Sequence, residues 1–425
     1  MRQGRAARNA ETYKEDNKSS TMKVLLLVIV ILALAAAGAL AYMYRSAKRS
    51  ISLDLSDNGF TVEFGDRLAA MDYVAGASGE VTPSEKMLDT GSLGEKEIVY
   101  TVTKPILGGL LKPSGEYVMN YSVADTRSPL TFWSGDGTVI MKGEKFDLRH
   151  VIGYGDNADR DPKVECKGSV DTDKAGDYPL HVTVTDASGN STEWDLTVTV
   201  AEEAPVYDSD SDDDEGIEFA DFVKAYRGDG RSFGIDVSSW QDEIDFEAVK
   251  KAGCEFVIIR IGFSSGDGTV ATPDNRFSEN LKNAKAAGLK VGVYIYSYDR
   301  NESMVRGTAR WVLQKLKHEE LDLPVAFDWE EFGQFQTYKM NFLDLNSMYD
   351  AFADEISKGG YDCMLYSSKN YLEDVWEDTD KRPVWLAHYT DSTDYEGPYM
   401  IWQASSTGRI SGIKGDVDLD IMYEK

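Results

Sequence analysis

Phe256-Val257-Ile258-Ile259-Arg260-Ile261-Gly262 carries a single charge, and its reading decides the architecture of the C-terminal half. A run this short and apolar, bounded by glycines at Gly253 and Gly262, reads as a buried strand. Working outward, similar strand candidates are Phe233–Val237, Lys290–Ser297, Pro324–Glu330, Asp362–Ser367, Val384–Tyr389, Tyr399–Ala404 and Val417–Tyr423. Helical patterns fill the first gaps, at Phe246–Ala252, Asn275–Ala287, Ser303–Leu316 and Leu343–Lys358. Eight buried strands, several separated by helices, predict an α/β domain of the (β/α) TIM-like barrel type. The last strands follow one another too closely for full helices, so the barrel is expected to be irregular.

The chain is multidomain, because 425 residues exceed one ordinary core. From about Ser50 to Val200 apolar and polar residues alternate between Gly, Asp and Asn turns, which predicts short strands. The segment also repeats itself. Leu88-Asp89-Thr90, Gly94 and Ile98-Val99-Tyr100-Thr101-Val102-Thr103 recur 82 residues later as Val170-Asp171-Thr172, Gly176 and Leu180-His181-Val182-Thr183-Val184-Thr185. A period near 80 residues suits one small β-sandwich, so two all-β modules are expected, at 50–125 and 126–200. The second copy ends in Thr185-Asp186-Ala187-Ser188-Gly189-Asn190 and resembles the bacterial immunoglobulin-like modules of surface proteins. Both copies read first as spacers; wall or carbohydrate binding is the alternative.

Residues 201–219 hold nine acids and no basic residue. Like charges extend a chain, so this is an acidic linker ahead of a further domain at 233–425. A calcium loop of the EF-hand type needs glycine at its sixth position, which here is Asp213 or Glu215. No HExxH or CxxC spacing occurs among the four histidines and three cysteines (Cys166, Cys254, Cys363), and neither a metal nor a cofactor is expected. Cys254 and Cys363 read as small buried hydrophobes.

Val24–Tyr44 is a charge-free run of 21 residues, long enough to cross a membrane as a helix. Arg2, Arg5, Arg8, Lys14, Lys18 and Lys23 precede it, while Arg45, Lys48 and Arg49 follow. That imbalance places a basic tail (1–23) in the cytoplasm and the rest outside. The rival reading is a secreted protein, cleaved as a signal peptide near Ala41 in Ala39-Leu40-Ala41. A formal charge of −28 argues against nucleic acid as a partner. Oligomeric state is not legible.

In such barrels the chemistry sits where the strands end. Asp236 ends the first strand, Asp328 and Glu330 end the fourth, and Asp418 lies on the last. Strand alternation puts Asp328 and Glu330 on one face. Two carboxylates there are costly unless paired or used, and their proximity raises the pKa of one toward that of a general acid. Glycoside hydrolysis uses such a pair. The plainer reading makes each acid a cap or the partner of Arg260 or a neighbouring lysine. Gly262-Phe263-Ser264-Ser265-Gly266 fits a nucleophile-elbow pattern, but Asp267-Gly268-Thr269 and Pro273 follow where a helix is required.

Gly234-Ile235-Asp236-Val237-Ser238-Ser239-Trp240-Gln241, the Phe256–Gly262 strand and Asp274-Asn275-Arg276-Phe277 resemble the opening of the family 25 glycoside hydrolases, the lysozyme or muramidase family. Asp328-Trp329-Glu330, Tyr366-Ser367-Ser368, Trp385-Leu386-Ala387-His388-Tyr389, Trp402-Gln403 and Val417-Asp418 follow in that family's order. The resemblance implies an N-acetylmuramidase cleaving the β-1,4 bond between N-acetylmuramic acid and N-acetylglucosamine in peptidoglycan glycan strands. Glu330 would be the general acid and Asp328 its partner carboxylate, with Asp236 and Asp418 completing an acidic floor. Tyr294, Tyr296, Tyr366, Trp385, Tyr389, Trp402 and Gln403 are the implied substrate-binding set, of which two or three rings should line the groove. Ile295 and Phe263 depart from the family's pattern and put subsite detail in doubt. The competing readings are a non-catalytic wall-binding protein and an envelope protein whose immunoglobulin-like modules carry the function.

Overall fold

The charge-free run lies within one long helix, α1 (Gln3–Arg49), whose apolar side chains are exposed along Val24–Leu34. The computed structural model describes residues 3–203, 216–269, 271–317 and 319–424, with side chains from residue 20 onward. The basic residues at 2–18 and most of the acidic linker therefore lie outside the described side chains. Two compact units are present, Met1–Ala124 and Asp125–Lys425.

After α1, the first unit contains β1 (Leu53–Leu55), β2 (Phe60–Glu63), β3 (Val74–Ala77), β4 (Glu80–Pro83), β5 (Gly94–Thr103) and β6 (Ser114–Ala124). β5 and β6 form an antiparallel hairpin, flanked by β4 antiparallel to β5 and β2 parallel to β6, while β1 and β3 pair separately. Alternation sets the core: Ile98, Tyr100 and Val102 on β5 and Met119, Tyr121 and Val123 on β6 are buried. The buried Tyr100 hydroxyl is satisfied by donating to Ala70 O at 2.6 Å.

The second unit opens with β7 (Leu130–Trp133), β8 (Thr138–Met141), β9 (Gly153–Gly155), β10 (Lys163–Lys167), β11 (Gly176–Thr185) and β12 (Ser191–Ala201). These pair in the same pattern: β11 with β12, β10 beside β11, β8 parallel to β12, and β7 with β9. Leu180, Val182 and Val184 stand where Ile98, Tyr100 and Val102 stood, and are buried too. Repetition in sequence is thus repetition of a strand-pairing scheme.

Beyond the undescribed part of the linker, β13 (Ile217–Glu218) pairs in parallel with Gly408 and Arg409, and α2 (Phe219–Tyr226) buries Phe219 and Phe222. The acidic stretch was expected to run to 219. Its end belongs instead to the following domain, because these phenylalanines fill that domain's outer layer.

There follow β14 (Arg231–Val237), α3 (Phe246–Lys251), β15 (Phe256–Phe263), β16 (Thr272–Pro273), α4 (Phe277–Ala286), β17 (Lys290–Tyr296), α5 (Glu302–Leu316) and β18 (Val325–Asp328). Then come α6 (Phe335–Tyr338), α7 (Phe342–Lys358), β19 (Cys363–Ser368), α8 (Lys369–Asp374), β20 (Val384–Ala387), β21 (Ile401–Arg409) and β22 (Val417–Tyr423). Strands β14, β15, β17, β18, β19, β20 and β21 are successive parallel neighbours. β22 runs antiparallel to both β21 and β14 and closes the ring. It must run backwards, since no helical crossover joins it to β21.

Each strand divides its residues between two cores. Ile235, Val257, Ile259, Val293, Phe327 and Leu365 face the helices, whereas Phe256, Ile258, Ala326, Met364, Trp385 and Met422 fill the interior. β18 ends at Asp328, two residues earlier than expected.

The second immunoglobulin-like module packs on the loop that follows β18. Phe132 lies among Phe332, Phe335, Phe342 and Tyr371, with ring centroids 5.5–6.1 Å away. Arg160 grips Asp344 through two bonds of 2.6 and 2.7 Å, and Asn341 Nδ2 donates to Ala158 O at 2.8 Å. A Cβ at Gly333 would overlap the Trp133 ring, so only glycine permits this approach. The module is therefore packed against the barrel and braces the segment that begins at Glu330.

Candidate active site

Three acids, Asp236, Asp328 and Asp418, stand on the ring of strands at one end of the barrel. Asp236 on β14 is the cross-strand partner of Asp418 on β22. Asp328, ending β18, lies between Tyr296 of β17 and Tyr366 of β19. Asp236 and Asp328 are buried, 5 % and 4 % exposed, and Asp418 is half-buried.

Glu330 differs from the expectation. It lies past the strand end in the loop, exposed to solvent, while Trp329 is fully buried between it and Asp328. The turn still brings it within electrostatic reach of the interior acids: burial and Glu330 raise Asp328 well above the ordinary carboxylate value, and Arg260 pulls it back. Glu330 is itself raised, by the crowding of the mouth and then by Glu331. Such a pair titrates as a unit and holds a shared proton above the ordinary carboxylate range.

Arg260 does not neutralise these acids directly. Its guanidinium is held by Asp274 at 2.8 Å and donates to Ser239 Oγ at 3.1 Å, while Asp274 also accepts from Ser239 N at 3.0 Å. This pair ties the end of β15 to the turn after β14.

Asp420 escaped the sequence reading. It is fully buried inside the barrel, where Trp385 Nε1 donates to it at 2.8 Å. Burial and Asp418 push it well up, and Asp236 is likewise raised by burial, Asp418 and Asp420. The signal was available, because Asp418 and Asp420 are two apart on one strand and must share a face. Burial and Glu330 raise Asp418 to about 6.

These raised values carry a sign. The folded chain keeps protons that the unfolded chain loses near the ordinary aspartate value of 3.8. Stability from these groups is therefore fully present below that value and is lost as pH rises through their folded pKa values. Thermal unfolding should show a higher Tm near pH 5 than near pH 8, and Asp420→Asn should flatten that slope. A slope as steep in the variant would show that the general negative charge, not this cluster, sets it.

Gln403 is the hub of the polar network. Its Oε1 accepts from the Tyr366 and Tyr389 hydroxyls, both at 2.9 Å, and its Nε2 donates to Asp236 Oδ2 at 2.7 Å. Tyr366 and Tyr389 line an open cleft of about 510 Å³ with Glu330, Phe332, Tyr371 and His388. Tyr296 is half-buried beside Tyr298, with centroids 4.9 Å apart. Tyr294 packs edge-on against Trp385 deeper in the barrel.

Two expected binding residues are displaced from that role. Trp402 points outward: it is buried in the helix-facing core, donates to His388 O at 2.8 Å and meets Tyr226 edge-on. As the neighbour of inward-facing Gln403, it could not face the same way. Trp385 faces inward but is only 1 % exposed, closed off beneath Tyr366. Trp240 (83 % exposed) and Tyr298 present open rings just beyond the ends of β14 and β17, and Phe263 does so at the end of β15. Ser264 of the G-x-S-x-G run is buried and accepts from Tyr298 N at 2.8 Å, with no helix after it.

A carboxylate cluster at the mouth of a closed barrel, flanked by open aromatic rings, is an arrangement used by glycoside hydrolases. Residues 235–413 match the family model for glycosyl hydrolases family 25, and residues 130–200 match that for the bacterial surface protein Ig-like domain. The autolytic lysozyme of Clostridium acetobutylicum is 31% identical over 193 residues, covering 45% of this chain and 56% of that protein. Lysozyme M1 of Streptomyces globisporus is 30% identical over 211 residues, covering 44% and 65%. A solved bacterial lysozyme from Streptomyces coelicolor shares 24% identity, with a TM-score of 0.37 over 44% of this chain and 90% of its own. The chain thus carries a family 25 glycosyl hydrolase domain preceded by an immunoglobulin-like domain of the bacterial surface type. It spans little more than half the length of the Clostridium relative.

Proposed function

We propose that this chain is an exported peptidoglycan hydrolase, an N-acetylmuramidase that cuts the β-1,4 bond on the reducing side of N-acetylmuramic acid. The observation that carries the reading is the Asp328–Glu330 pair, with raised pKa values and an open cleft beside it. In this mechanism Glu330 protonates the leaving glycosidic oxygen, and its loop position leaves it accessible to a polymer. Asp328, under the influence of Arg260, supplies the negative charge that stabilises the developing sugar cation or orients the N-acetyl group. Asp236, held by Gln403, and Asp418 form the acidic floor. Tyr366 and Tyr389 offer ring faces to the sugars, with Gln403 setting their orientation.

The apolar helix near the N-terminus supports a membrane anchor, with the basic tail inside and the barrel outside. A tethered enzyme reaches nearby polymer, so the substrate in this reading is the cell's own wall. Mass spectrometry of digested peptidoglycan provides the test. New muramic acid reducing ends are expected; glucosamine reducing ends would overturn the assignment.

A further inference from the structure

Away from the barrel mouth, Asp125, Asp156 and Asp186 of the second module offer carboxylate oxygens that all lie within 4.8 Å of one another. Among the described residues this is the group of three acids with that spacing, and it shares no residue with the barrel acids. All three are buried, at 8 %, 1 % and 6 % exposure. They come from separate places in the module: the segment leading into β7, the residue after β9 and the residue after β11. Asp186 is oriented by Asn190, whose backbone N–H reaches Oδ1 at 2.8 Å and whose Nδ2 reaches Oδ2 at 2.9 Å. The same Nδ2 donates to Asp125 O at 3.1 Å and ties the two segments together.

Asp156 supplies the second observation. Its Oδ1 accepts from Ala158 N and Asp159 N at 2.8 and 2.5 Å. The Asp156 side chain, 99 % removed from solvent, brings a carboxylate oxygen within 4.8 Å of those of Asp125 and Asp186, and its Oδ2 has no hydrogen-bond partner. Burial, with Asp125 and Asp186 adding to it, pushes the Asp156 carboxyl up to about 6. A buried carboxylate oxygen without a donor is costly, and three converging carboxylates repel one another.

The first module acts as an internal comparison. Its strand registers place Ser78 where Asp156 stands and Lys104 where Asp186 stands. There Lys104 Nζ donates to Ser50 Oγ at 3.0 Å, and Ser78 Oγ accepts from Ser52 N at 2.8 Å. One copy of the fold thus closes this corner with a hydroxyl and a built-in ammonium. The other brings three carboxylates to it.

We propose that Asp125, Asp156 and Asp186 form a calcium site that locks the immunoglobulin-like module onto the hydrolase barrel. Oxygens up to 4.8 Å apart suit an ion bound at 2.3–2.6 Å, since opposed ligands are separated by twice that distance. An all-carboxylate set is hard and anionic, which favours Ca²⁺ over a transition metal. The coupling to the barrel is direct: Asp156 O accepts from Phe342 N at 2.9 Å, and the same loop supplies Ala158 O to Asn341 and Arg160 to Asp344. Ordering Asp156 therefore orders the contact that braces the Glu330 loop.

The test uses the full chain in EGTA and in 10 mM CaCl₂. Calcium should raise Tm by roughly 3 °C or more, given the ~10⁻⁴–10⁻³ M affinities of extracellular modules. Asp156→Asn and Asp186→Asn should abolish the shift, and in EGTA both should melt higher than wild type because a repelling charge is gone. Any calcium bound by the acidic linker would still act in these variants. An unchanged wild-type Tm, or an equal shift in the variants, overturns the site. Should a variant fail to fold, hydrogen exchange on wild type decides the matter. Amides of 156–161 should be slowed several-fold by calcium, and no slowing overturns the proposal.

Discussion

Glu330→Gln is expected to lower kcat on peptidoglycan by about 10²–10⁴-fold, the range a positioned general acid contributes. Glutamine keeps the shape and hydrogen-bonding tip of the side chain but has no proton to give. KM should change little, because the loss falls on the transition state rather than on binding. Release of reducing sugar from purified walls, compared with wild type at equal protein, checks this. The pH profile offers a second reading. The loss of hydration at the crowded mouth and the charge of Glu331 raise the Glu330 pKa, so activity that needs its protonated form persists into milder pH and falls as pH rises through the raised value. In the glutamine form that alkaline limb should be lost along with the rate. Equal activity of the two proteins would remove Glu330 from the mechanism and favour a wall-binding role for the domain.

Trp329→Ala should be the most damaging single change to stability. The ring is fully buried in the helix-facing core, edge-on to Phe332 at 5.1 Å and tilted against Phe335 at 5.5 Å. Its indole N–H donates to Asp299 O at 2.9 Å. Loss of a buried tryptophan costs about 3–5 kcal/mol, and the orphaned carbonyl adds roughly 1–3 kcal/mol. For a unit of this size a Tm decrease of roughly 10 °C follows. Trp329→Phe, which keeps the packing and loses only the hydrogen bond, should fall between. The consequence for activity is indirect: Trp329 anchors the backbone from which Glu330 departs, and the same rings receive Phe132 from the immunoglobulin-like module. A decrease of under 2 °C would mean that the loop is held elsewhere.

The barrel strands were legible because buried parallel strands leave uninterrupted apolar runs, and Phe256–Gly262 is such a run. The limits of legibility were local. β18 was drawn through Glu330, since Trp329 continues the apolar run; in the fold the strand ends at Asp328 and Trp329 fills the outer core. Trp402 was grouped with Gln403 through family likeness, although adjacent strand residues must face opposite ways. The same alternation puts Asp420 on the face of Asp418, two residues along β22.

What the sequence determined by itself was everything governed by local period and composition. The apolar helix, the 82-residue repeat, the strand list and three of the interior acids all follow from spacing along one segment. Only the tertiary structure decided which distant residues meet. Closure of the ring through β22 sets Asp418 beside Asp236, and Gln403 then joins Asp236 to two tyrosines. The packing of Phe132 behind the Glu330 loop and the convergence of Asp125, Asp156 and Asp186 are of the same kind. Their members are about 30 residues or more apart, and neither the helix nor the strand period reaches that far. Chain topology and core packing bring them together, and their chemistry exists only once they do.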